Sequence, residues 1–333
     1  MKKRMAGWLE TLWYKDLYVS GWMMPVSMLY VDAIRLRRLL YKIGIYKSTK
    51  LPVPVVIVGN ITVGGTGKTP LVIYLVELLK QQGLQPGIIS RGYHGEANQT
   101  PVSVTAASDA ALVGDEPVLL AQRCACPVVV AVDRVAAGQF LLANFACDVL
   151  ISDDGLQHYA LKRDIEIAVI DGQRRFGNGY CLPAGPLREP PSRIHEVDFA
   201  VANGASELQD HEIDMQCQGL YWQNLLTGEQ QPIAYFRGQT CHAVAAIGNP
   251  KRFFTQLEQA GVRITAHAFP DHHAYRSADL EFNDDKPLLM TEKDAVKCRA
   301  FAKANYWFLP ISAQLPASFA SEFLTLLKQK THG

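Results

Sequence analysis

A glycine-rich turn between a buried strand and a helix is the feature that most constrains this chain. The run VVIV at Val55–Val58 has the β-branched, apolar character of a strand inside a sheet. The turn GGTGKT follows, and the apolar periodicity of Leu71–Leu79 predicts a helix directly after it. In this arrangement backbone N–H groups and the helix dipole favour a bound phosphate. The pattern therefore predicts a site for a nucleoside triphosphate.

The predicted phosphate contacts run along this turn. They are Thr62, Val63, Gly64, Gly65, Thr66, Gly67, Lys68 and Thr69. We expect the Lys68 ammonium to reach the β- and γ-phosphates and the Thr69 hydroxyl to bind Mg²⁺. Thr62 stands where the strict pattern has a glycine. Val63 stands where ATPases completed by a second subunit carry a lysine, which favours a self-contained kinase.

Two aspartates follow a later apolar strand. The segment CDVLISDDGLQH, Cys147–His158, places Asp153 and Asp154 at the end of that strand. A carboxylate at a strand tip downstream of a phosphate loop holds Mg²⁺ directly or through water. Either aspartate can be the direct ligand, and a turn-capping role is the structural alternative.

A second acidic pair precedes a predicted helix. Asp115 and Glu116 lie in VGDEP, just before the helical segment Val118–Arg123. Carboxylates at a helix N-terminus are favoured as caps and by the helix dipole, which is a purely structural explanation. The functional alternative gives one carboxylate to Mg²⁺ and the other to the removal of a proton from an acceptor alcohol.

Histidines and arginines complete the predicted chemistry. In FPDHHAY, His272 and His273 follow Pro-Asp in a predicted loop, where a histidine can assist a carboxylate base. Arg134 follows a strand, Arg188 lies in the loop LPAGPLREP, and Arg91 opens RGYHG. Each arginine alone is typical of a surface residue. As a set they are placed to neutralise a transferring phosphoryl group.

The first 45 residues predict a membrane-associated helical arm. Leu17–Val31 carries no charge, but it is shorter than the roughly 20 residues that span a bilayer. Cations then alternate with leucines over 35–42, which suits a helix at an anionic membrane surface. The first 50 residues hold ten Lys and Arg against three Asp and Glu. The alternatives are a helix packed on the protein core with a solvated basic face, and a single short helix that spans the membrane.

Strand-like and helix-like segments alternate from Val53 to Asp171, which predicts an α/β fold with a P-loop-type parallel sheet between helices. Ligands of such sheets bind at the C-terminal ends of the strands. The expected units are the arm at 1–45, a P-loop kinase domain at 46–215, a β-hairpin linker at 216–238 and a smaller C-terminal α/β domain at 239–333. The seven cysteines lack paired CxxC spacing, which favours reduced thiols in a cytoplasmic setting.

Eight motifs occur in a fixed order between Gly59 and Lys297. They are GNITVGGTGKTP, SRGYHG, GDEP, DDGLQH, LPAGPLREP, AIGNPKRF, FPDHHAY and TEKDAVK. This ordered set resembles the tetraacyldisaccharide 4′-kinases of Gram-negative bacteria, and with the N-terminal arm the resemblance covers nearly the whole chain. No single motif carries it.

The resemblance implies a reaction and a location. It implies transfer of the γ-phosphate of ATP, with Mg²⁺, to the 4′-hydroxyl of a tetraacylated glucosamine disaccharide 1-phosphate, giving lipid IVA. It also implies an enzyme at the cytoplasmic face of the inner membrane. We expect a monomer whose partners are this lipid and the membrane surface, with no nucleic acid.

The resemblance also assigns roles to individual residues. By motif, Lys68 and Thr69 are the P-loop pair, Asp115 is the catalytic base and His272 is its partner. The Mg²⁺ network consists of Glu116, Asp153 and Asp154. Arg134 and Arg188 contact the nucleotide or the transition state. His273 adjoins His272, so the sequence does not decide which of these two histidines pairs with Asp115.

Three other functions compete with a lipid kinase. A GTPase-type switch needs an Asn/Thr-Lys-x-Asp element, and TEKD at Thr291–Asp294 has its lysine one place too late. A non-enzymatic membrane scaffold that binds nucleotide would not need both metal carboxylates and a base. A P-loop kinase for a soluble sugar or small metabolite would not need the basic arm.

Overall fold

Two β-sheets flanked by helices make up the fold in the computed structural model, which describes residues 11–14, 21–92 and 100–332. Strands of the first sheet are, in chain order, β1 (Val55–Gly59), β2 (Pro86–Ser90), β3 (Val102–Val104), β4 (Val128–Val130), β5 (Val149–Asp153), β6 (Ile165–Asp171), β7 (Phe199–Asn203) and β8 (Glu212–Gly219). They lie side by side in the order β8-β7-β6-β1-β5-β2-β4-β3. All these neighbours are parallel except β3 and β4.

Helices cover both faces of this sheet. The helices of the first part of the chain are α1 (Met23–Lys42), α2 (Lys68–Gln81), α3 (Ala110–Val113), α4 (Asp115–Cys124) and α5 (Arg134–Asn144). Strand β1 is buried on both sides, with Val56 and Val58 in one apolar cluster and Val55 and Ile57 in the other. Since successive side chains of a strand point to opposite faces, this central strand needs an unbroken apolar run.

The second sheet is smaller and mixed. Its strands are β9 (Tyr221–Asn224), β10 (Gln230–Pro232), β11 (Thr240–Ala245), β12 (Arg263–Ala268), β13 (Leu288–Thr291) and β14 (Tyr306–Leu309), and its helices are α6 (Pro250–Gln259) and α7 (Glu292–Cys298). The strand order is β10-β9-β14-β13-β11-β12. The predicted hairpin is present as the antiparallel pair β9–β10, but it forms one edge of this sheet, while β8 just before it belongs to the first sheet.

The end of the chain returns to the first sheet. Strand β15 (Ile311–Gln314) pairs antiparallel with β8, and helix α8 (Ala317–His332) follows. Phe319, Phe323 and Leu327 of α8 lie in the same buried cluster as β1 and α2. The expectation that 239–333 forms one unit therefore needs correction at its C-terminal end. An apolar stripe at i, i+4 and i+8 buries itself on the larger sheet, and the chain crosses between the sheets twice.

The predicted fold class is confirmed: a parallel P-loop-type sheet lies between helices, with a smaller α/β unit beside it. The predicted N-terminal arm lies partly outside the described residues, but α1 is helical over Met23–Lys42. In the described ranges, no helix combines the length and the apolar character needed to cross a bilayer.

The return of α8 has a measurable consequence. Phe323→Ala removes a fully buried ring from the first-sheet core, so we expect the free energy of unfolding to fall by about 3–5 kcal/mol in urea titration. Gln329→Ala, exposed on the same helix, is the matched control. Amide hydrogen exchange should accelerate in β7, whose Phe199 ring packs edge-on against Phe319 and at a tilt against Phe323. Acceleration confined to β11 and β13 would contradict this packing.

Candidate active site

The glycine turn joins the C-terminal end of β1 to the N-terminus of α2. Gly64 and Gly67 have φ angles of 104° and 97°, in the left-handed region that glycine adopts without strain. A Cβ atom on Gly67 would overlap the amide group of Asn203, which donates a hydrogen bond to the Thr66 carbonyl at 3.0 Å. Because side chains are absent from the turn where it bends, its backbone N–H groups can close on a phosphate at the helix N-terminus.

Lys68 is held in place at the start of α2. Its Nζ donates to Asn60 Oδ1 at 3.1 Å and lies 3.3 Å from Asp154 Oδ1. The buried Asn60 amide in turn donates to the Thr62 carbonyl at 2.9 Å. The ammonium group is therefore positioned beside the turn before any nucleotide arrives.

Asp153 is the last residue of β5, which lies next to β1 in the sheet, and Asp154 follows it. Asp153 is buried, and its Oδ1 atom has no hydrogen-bond partner in the part of the chain that the structure describes. Burial, the Glu116 carboxylate and the Asp154 carboxylate raise the pKa of Asp153 to about 7 against the opposing charge of Lys68. A buried oxygen of this kind needs a cation or a proton as a partner.

Asp154 is surrounded by positive charge. Arg188 Nη1 donates to both of its carboxylate oxygens, at 3.2 and 3.1 Å, and Lys68 lies on the same carboxylate. Burial alone would raise the pKa of Asp154, but Lys68 and Arg188 outweigh it and hold that pKa well below its usual range. Asp154 therefore stays ionised at neutral pH.

Asp115 and His272 meet across the two sheets. Asp115 begins α4 and is 6% exposed, while His272 lies in the loop after β12. His272 Nδ1 is 3.1 Å from Asp115 Oδ2 and 3.2 Å from Oδ1. His273 instead contacts Asp279 at 3.2 Å, so His272 is the histidine that pairs with Asp115.

The environment of this pair keeps the carboxylate ionised. Burial opposes ionisation, but the hydrogen bond from His272 and the charges of Lys293 and Lys297 lower the pKa of Asp115 to about 2. The same hydrogen bond raises the pKa of His272 against the effect of burial. Asp115 is thus a charged acceptor at neutral pH, with an imidazole fixed against it.

Glu116 is paired across the same gap. Lys293 Nζ from α7 lies 3.1 Å from Glu116 Oε1 and 3.9 Å from Asp115 Oδ1. Further along the two helices, Arg123 Nη1 donates to both oxygens of Glu292, at 2.7 and 2.9 Å. Helices α4 and α7 are therefore joined by opposite charges at two levels.

A cavity of about 580 Å³ lies between the sheets and connects these groups. Lys68, Thr69 and Asp154 line it from the first sheet, and His272 and Lys293 line it from the second. The remaining wall includes apolar and amide side chains of the second unit and of β15, among them Ile247, Phe253, Gln256, Leu309 and Ile311. A cleft of this kind accommodates a nucleotide with its base against an apolar wall and its phosphates at the glycine turn.

The other predicted residues fall into two groups. Val63, Gly64, Gly65, Gly67, Glu116 and Arg188 line the cavity. Thr62, Thr66, Asp115, Asp153 and Arg134 are buried next to it and, among the described residues, are not part of its lining.

Arg134 donates hydrogen bonds to backbone carbonyls just after β4 and β5. Its Nη1 donates to the Val132 carbonyl at 2.9 Å and its Nη2 to the Asp154 carbonyl at 3.4 Å. Burial lowers the pKa of Arg134 to about 10. Its contacts in the structure are with backbone beside Asp154, so a direct contact to nucleotide stays a prediction.

Sequence reasoning missed four residues of this site. Asn60, Asn203, Lys293 and Lys297 hold the functional groups in place. A signal existed for the lysines, because TEKDAVK follows a predicted strand of the second unit, where loops of such sheets carry function. No local pattern marks Asn203, whose role depends on β7 lying beside the glycine turn.

Comparison with known proteins agrees with this geometry. The family model described as tetraacyldisaccharide-1-P 4′-kinase matches residues 19–328. The chain belongs to this family. It is accordingly a kinase, as the sequence predicted.

Similar proteins align with nearly the full length of this chain. A tetraacyldisaccharide 4′-kinase of Nitrosococcus oceani is 52% identical, with 95% of this chain and 93% of that protein covered. One of Methylobacillus flagellatus is 51% identical, with 98% of each covered. The crystal structure of LpxK from Aquifex aeolicus in complex with ATP has a TM-score of 0.79 and 30% identity, covering 91% of this chain and 98% of that one.

The residues of this kinase fit a magnesium ion shared with a nucleotide. Within the described residues, no group of three or more His, Cys, Asp or Glu side chains is arranged to hold a metal ion. Mg²⁺ in phosphoryl-transfer sites usually takes only one or two carboxylates, with phosphate oxygens and waters as its other ligands. Asp153, with its partnerless buried oxygen, and the Thr69 hydroxyl at the cavity wall are suited to such a site.

The raised pKa of His272 gives a pH-dependent prediction. Its pKa in the folded state lies above the value of about 6.5 in an unfolded chain, so the pair stabilises the fold fully below that pH. This contribution is lost as the pH rises through the folded-state pKa. In an NMR titration, Asp115→Asn should lower the midpoint of the His272 ring, whereas Asp279→Asn, next to His273, should leave it unchanged. Equal midpoints in the wild type and Asp115→Asn would contradict the pairing.

Proposed function

We propose that this chain transfers the γ-phosphate of ATP to the 4′-hydroxyl of a tetraacyldisaccharide 1-phosphate, giving lipid IVA in lipid A biosynthesis. The observation that carries the proposal is the Asp115–His272 pair, in which His272 lines the same cavity as the glycine turn and holds the buried Asp115 carboxylate. A nucleotide-binding switch needs the turn and the metal carboxylates, but it does not need a charged acceptor for an alcohol proton. Kinship with the Aquifex aeolicus LpxK, described in complex with ATP, supports the choice of nucleotide.

The phosphate-binding end of the cavity would position the transferred group. Backbone N–H groups of residues 64–69 would hold the β- and γ-phosphates, and Lys68 would neutralise their charge. Arg188 is placed beside Asp154 on the same wall, where a guanidinium would stabilise charge on the transferring phosphoryl group. This fixed array would lower the barrier chiefly by positioning and electrostatics.

Asp115 would remove the proton of the acceptor alcohol. The 4′-oxygen forms a bond to the γ-phosphorus while its proton passes to Asp115, and the bond from that phosphorus to the bridging oxygen breaks to release ADP. His272 Nδ1 would hold the carboxylate in orientation by its hydrogen bond. Both groups come from one chain, so a monomer would contain a complete site.

The acidic residues around Asp153 would hold Mg²⁺ with the nucleotide. Thr69, Asp153 and Asp154 would hold the ion beside the glycine turn, and Glu116 would join them on release from Lys293. When bound, the ion would neutralise negative charge on the β- and γ-phosphates. Lys293 would then retain Asp115 as its carboxylate partner.

A lipid acceptor would explain the exposed face of α1. Its apolar side chains Met28, Leu29, Leu36 and Leu39, and that of Trp22 directly before it, are at least half exposed. The same helix carries several Lys and Arg, a combination that binds anionic membrane surfaces. We therefore place the chain at the cytoplasmic face of the inner membrane, with the cavity supplied by lipid from that surface.

Lys68→Ala tests the phosphate end of the proposal. Removing the ammonium should lower transfer from γ-labelled ATP to the lipid product by at least about 10²-fold. The same substitution at exposed Lys50 is the matched control and should leave transfer unchanged. Reactions with GTP and with a soluble glucosamine acceptor test the rival functions. Near-normal turnover by Lys68→Ala, or equal transfer to the soluble sugar, would contradict the proposal.

The Asp115–His272 pair is tested by a double-mutant cycle. Asp115→Asn should lower kcat by about 10²–10⁴-fold with a smaller change in KM for ATP, because the nucleotide contacts remain. His272→Asn should act through the same step, so the double variant should lose far less than the product of the two single losses. Independent, multiplying losses would show that the two residues do not act as a unit.

A further inference from the structure

A second cavity lies at the other end of α1. Its volume is about 620 Å³, and it is enclosed by the last turns of α1 and by the segment 159–166. The cations that line it are Arg35, Arg38, Lys42, Lys162, Arg163 and Arg193. Two carboxylates, those of Glu166 and Glu196, lie among them, so the lining carries a clear excess of positive charge. We call this cavity the basic groove.

The basic groove is separate from the catalytic cavity. Of the described residues, none lines both. Tyr30 of α1 donates to the Arg188 carbonyl at 3.1 Å and so marks the catalytic end of the helix. Lys42, at the groove, lies 12 residues further along, which is about 18 Å of helix at about 1.5 Å per residue.

Arg38 and Arg163 of the basic groove, which also pair with Glu196 and Glu166, lie with the neighbouring Arg37 around one aromatic ring. The guanidinium groups of Arg37, Arg38 and Arg163 lie 5.6, 5.9 and 5.0 Å from the centre of the Tyr159 ring. The Tyr159 hydroxyl donates to Glu189 Oε2 at 2.6 Å, which fixes the ring itself. Such cation–π contacts keep the side chains from extending freely into solvent. The site is therefore preorganised.

At the floor of the basic groove, Arg193 Nη1 lies 4.0 Å from Glu196 Oε2, which is too far for a hydrogen bond. Arg193 is 2% exposed, and its Nη2 donates to Glu166 Oε1 at 2.6 Å. Its Nη1 atom is buried and has no hydrogen-bond partner among residues 11–14, 21–92 and 100–332. A buried guanidinium N–H without an acceptor is costly, and an anionic oxygen in the groove would satisfy it.

Apolar side chains next to the basic groove indicate the kind of anion. Leu39 lines it, and the neighbouring Leu36 and Ile43 are 56% and 57% exposed. A free phosphate gains nothing from contact with apolar side chains, whereas a phospholipid carries its phosphate next to acyl chains that can pack against them. Basic pockets beside membrane helices suit anionic headgroups.

We propose that the basic groove binds the phosphate of an anionic phospholipid headgroup, with its acyl chains against the exposed leucines of α1. The bound lipid fixes the far end of α1 to the bilayer while the near end borders the catalytic cavity. This inference goes beyond the phosphotransfer reaction, and its test uses no nucleotide. Its failure would leave the proposed reaction untouched.

The test compares two pairs of exposed lysines. Lys42→Gln with Lys162→Gln removes two charges from the groove, and Lys47→Gln with Lys50→Gln removes two charges from nearby surface outside it. With phosphatidylglycerol vesicles, co-sedimentation of the groove pair should weaken by about 25-fold, at about fivefold per lysine, and that of the control pair by less than about threefold. Equal losses would show diffuse surface attraction and overturn the proposal.

Two further measurements identify the ligand. Amide hydrogen exchange of the full chain should slow at 159–163 on phosphatidylglycerol vesicles and not on phosphatidylcholine vesicles. Titration calorimetry with inorganic phosphate should detect no tight binding, and submillimolar binding of phosphate alone would assign the groove to a free anion instead. A wild-type chain that sediments with neither vesicle would contradict both the groove and the membrane placement.

Discussion

The contact between Asp115 and His272 connects two parts of the chain that fold as separate sheets. Asp115 begins helix α4 on the first sheet, and His272 follows β12 on the second. The catalytic cavity exists only while these sheets face each other. The double crossing of the chain, through β8–β9 and back through β14–β15, limits how far they can separate. The proposed reaction therefore depends on the two sheets staying in contact.

Charge balance explains why the cleft is built from so many ionic groups. Buried carboxylates are costly to desolvate unless cations lie against them. Lys68 and Arg188 form ion pairs with Asp154, and Lys293 forms one with Glu116. Asp153 differs, since its Oδ1 atom has no hydrogen-bond partner in the described part of the protein. This buried oxygen lies at the end of β5, beside β1, where the proposed metal ion would bind.

Helix α1 connects the catalytic cavity to the proposed lipid site. At one end Ser27 and Tyr30 donate to carbonyls of the 181–188 loop, which also carries Arg188. At the other end the helix closes the basic groove around Tyr159. A lipid bound at that far end would orient the helix and, through these hydrogen bonds, the loop. The proposed membrane attachment and the catalytic geometry would therefore both depend on α1.

Local patterns in the sequence were enough to predict the phosphate turn, the strand that precedes it, the parallel α/β architecture and the family. The folded chain was needed to show that His272 rather than His273 meets Asp115 and that Lys293 and Asn203 complete the site. It was also needed to show that Arg134 donates to the Asp154 backbone and that β15 and α8 belong to the first sheet. A turn or an apolar run acts over a few residues, whereas a contact such as Asp115–His272 joins positions 157 residues apart and depends on how every intervening element packs.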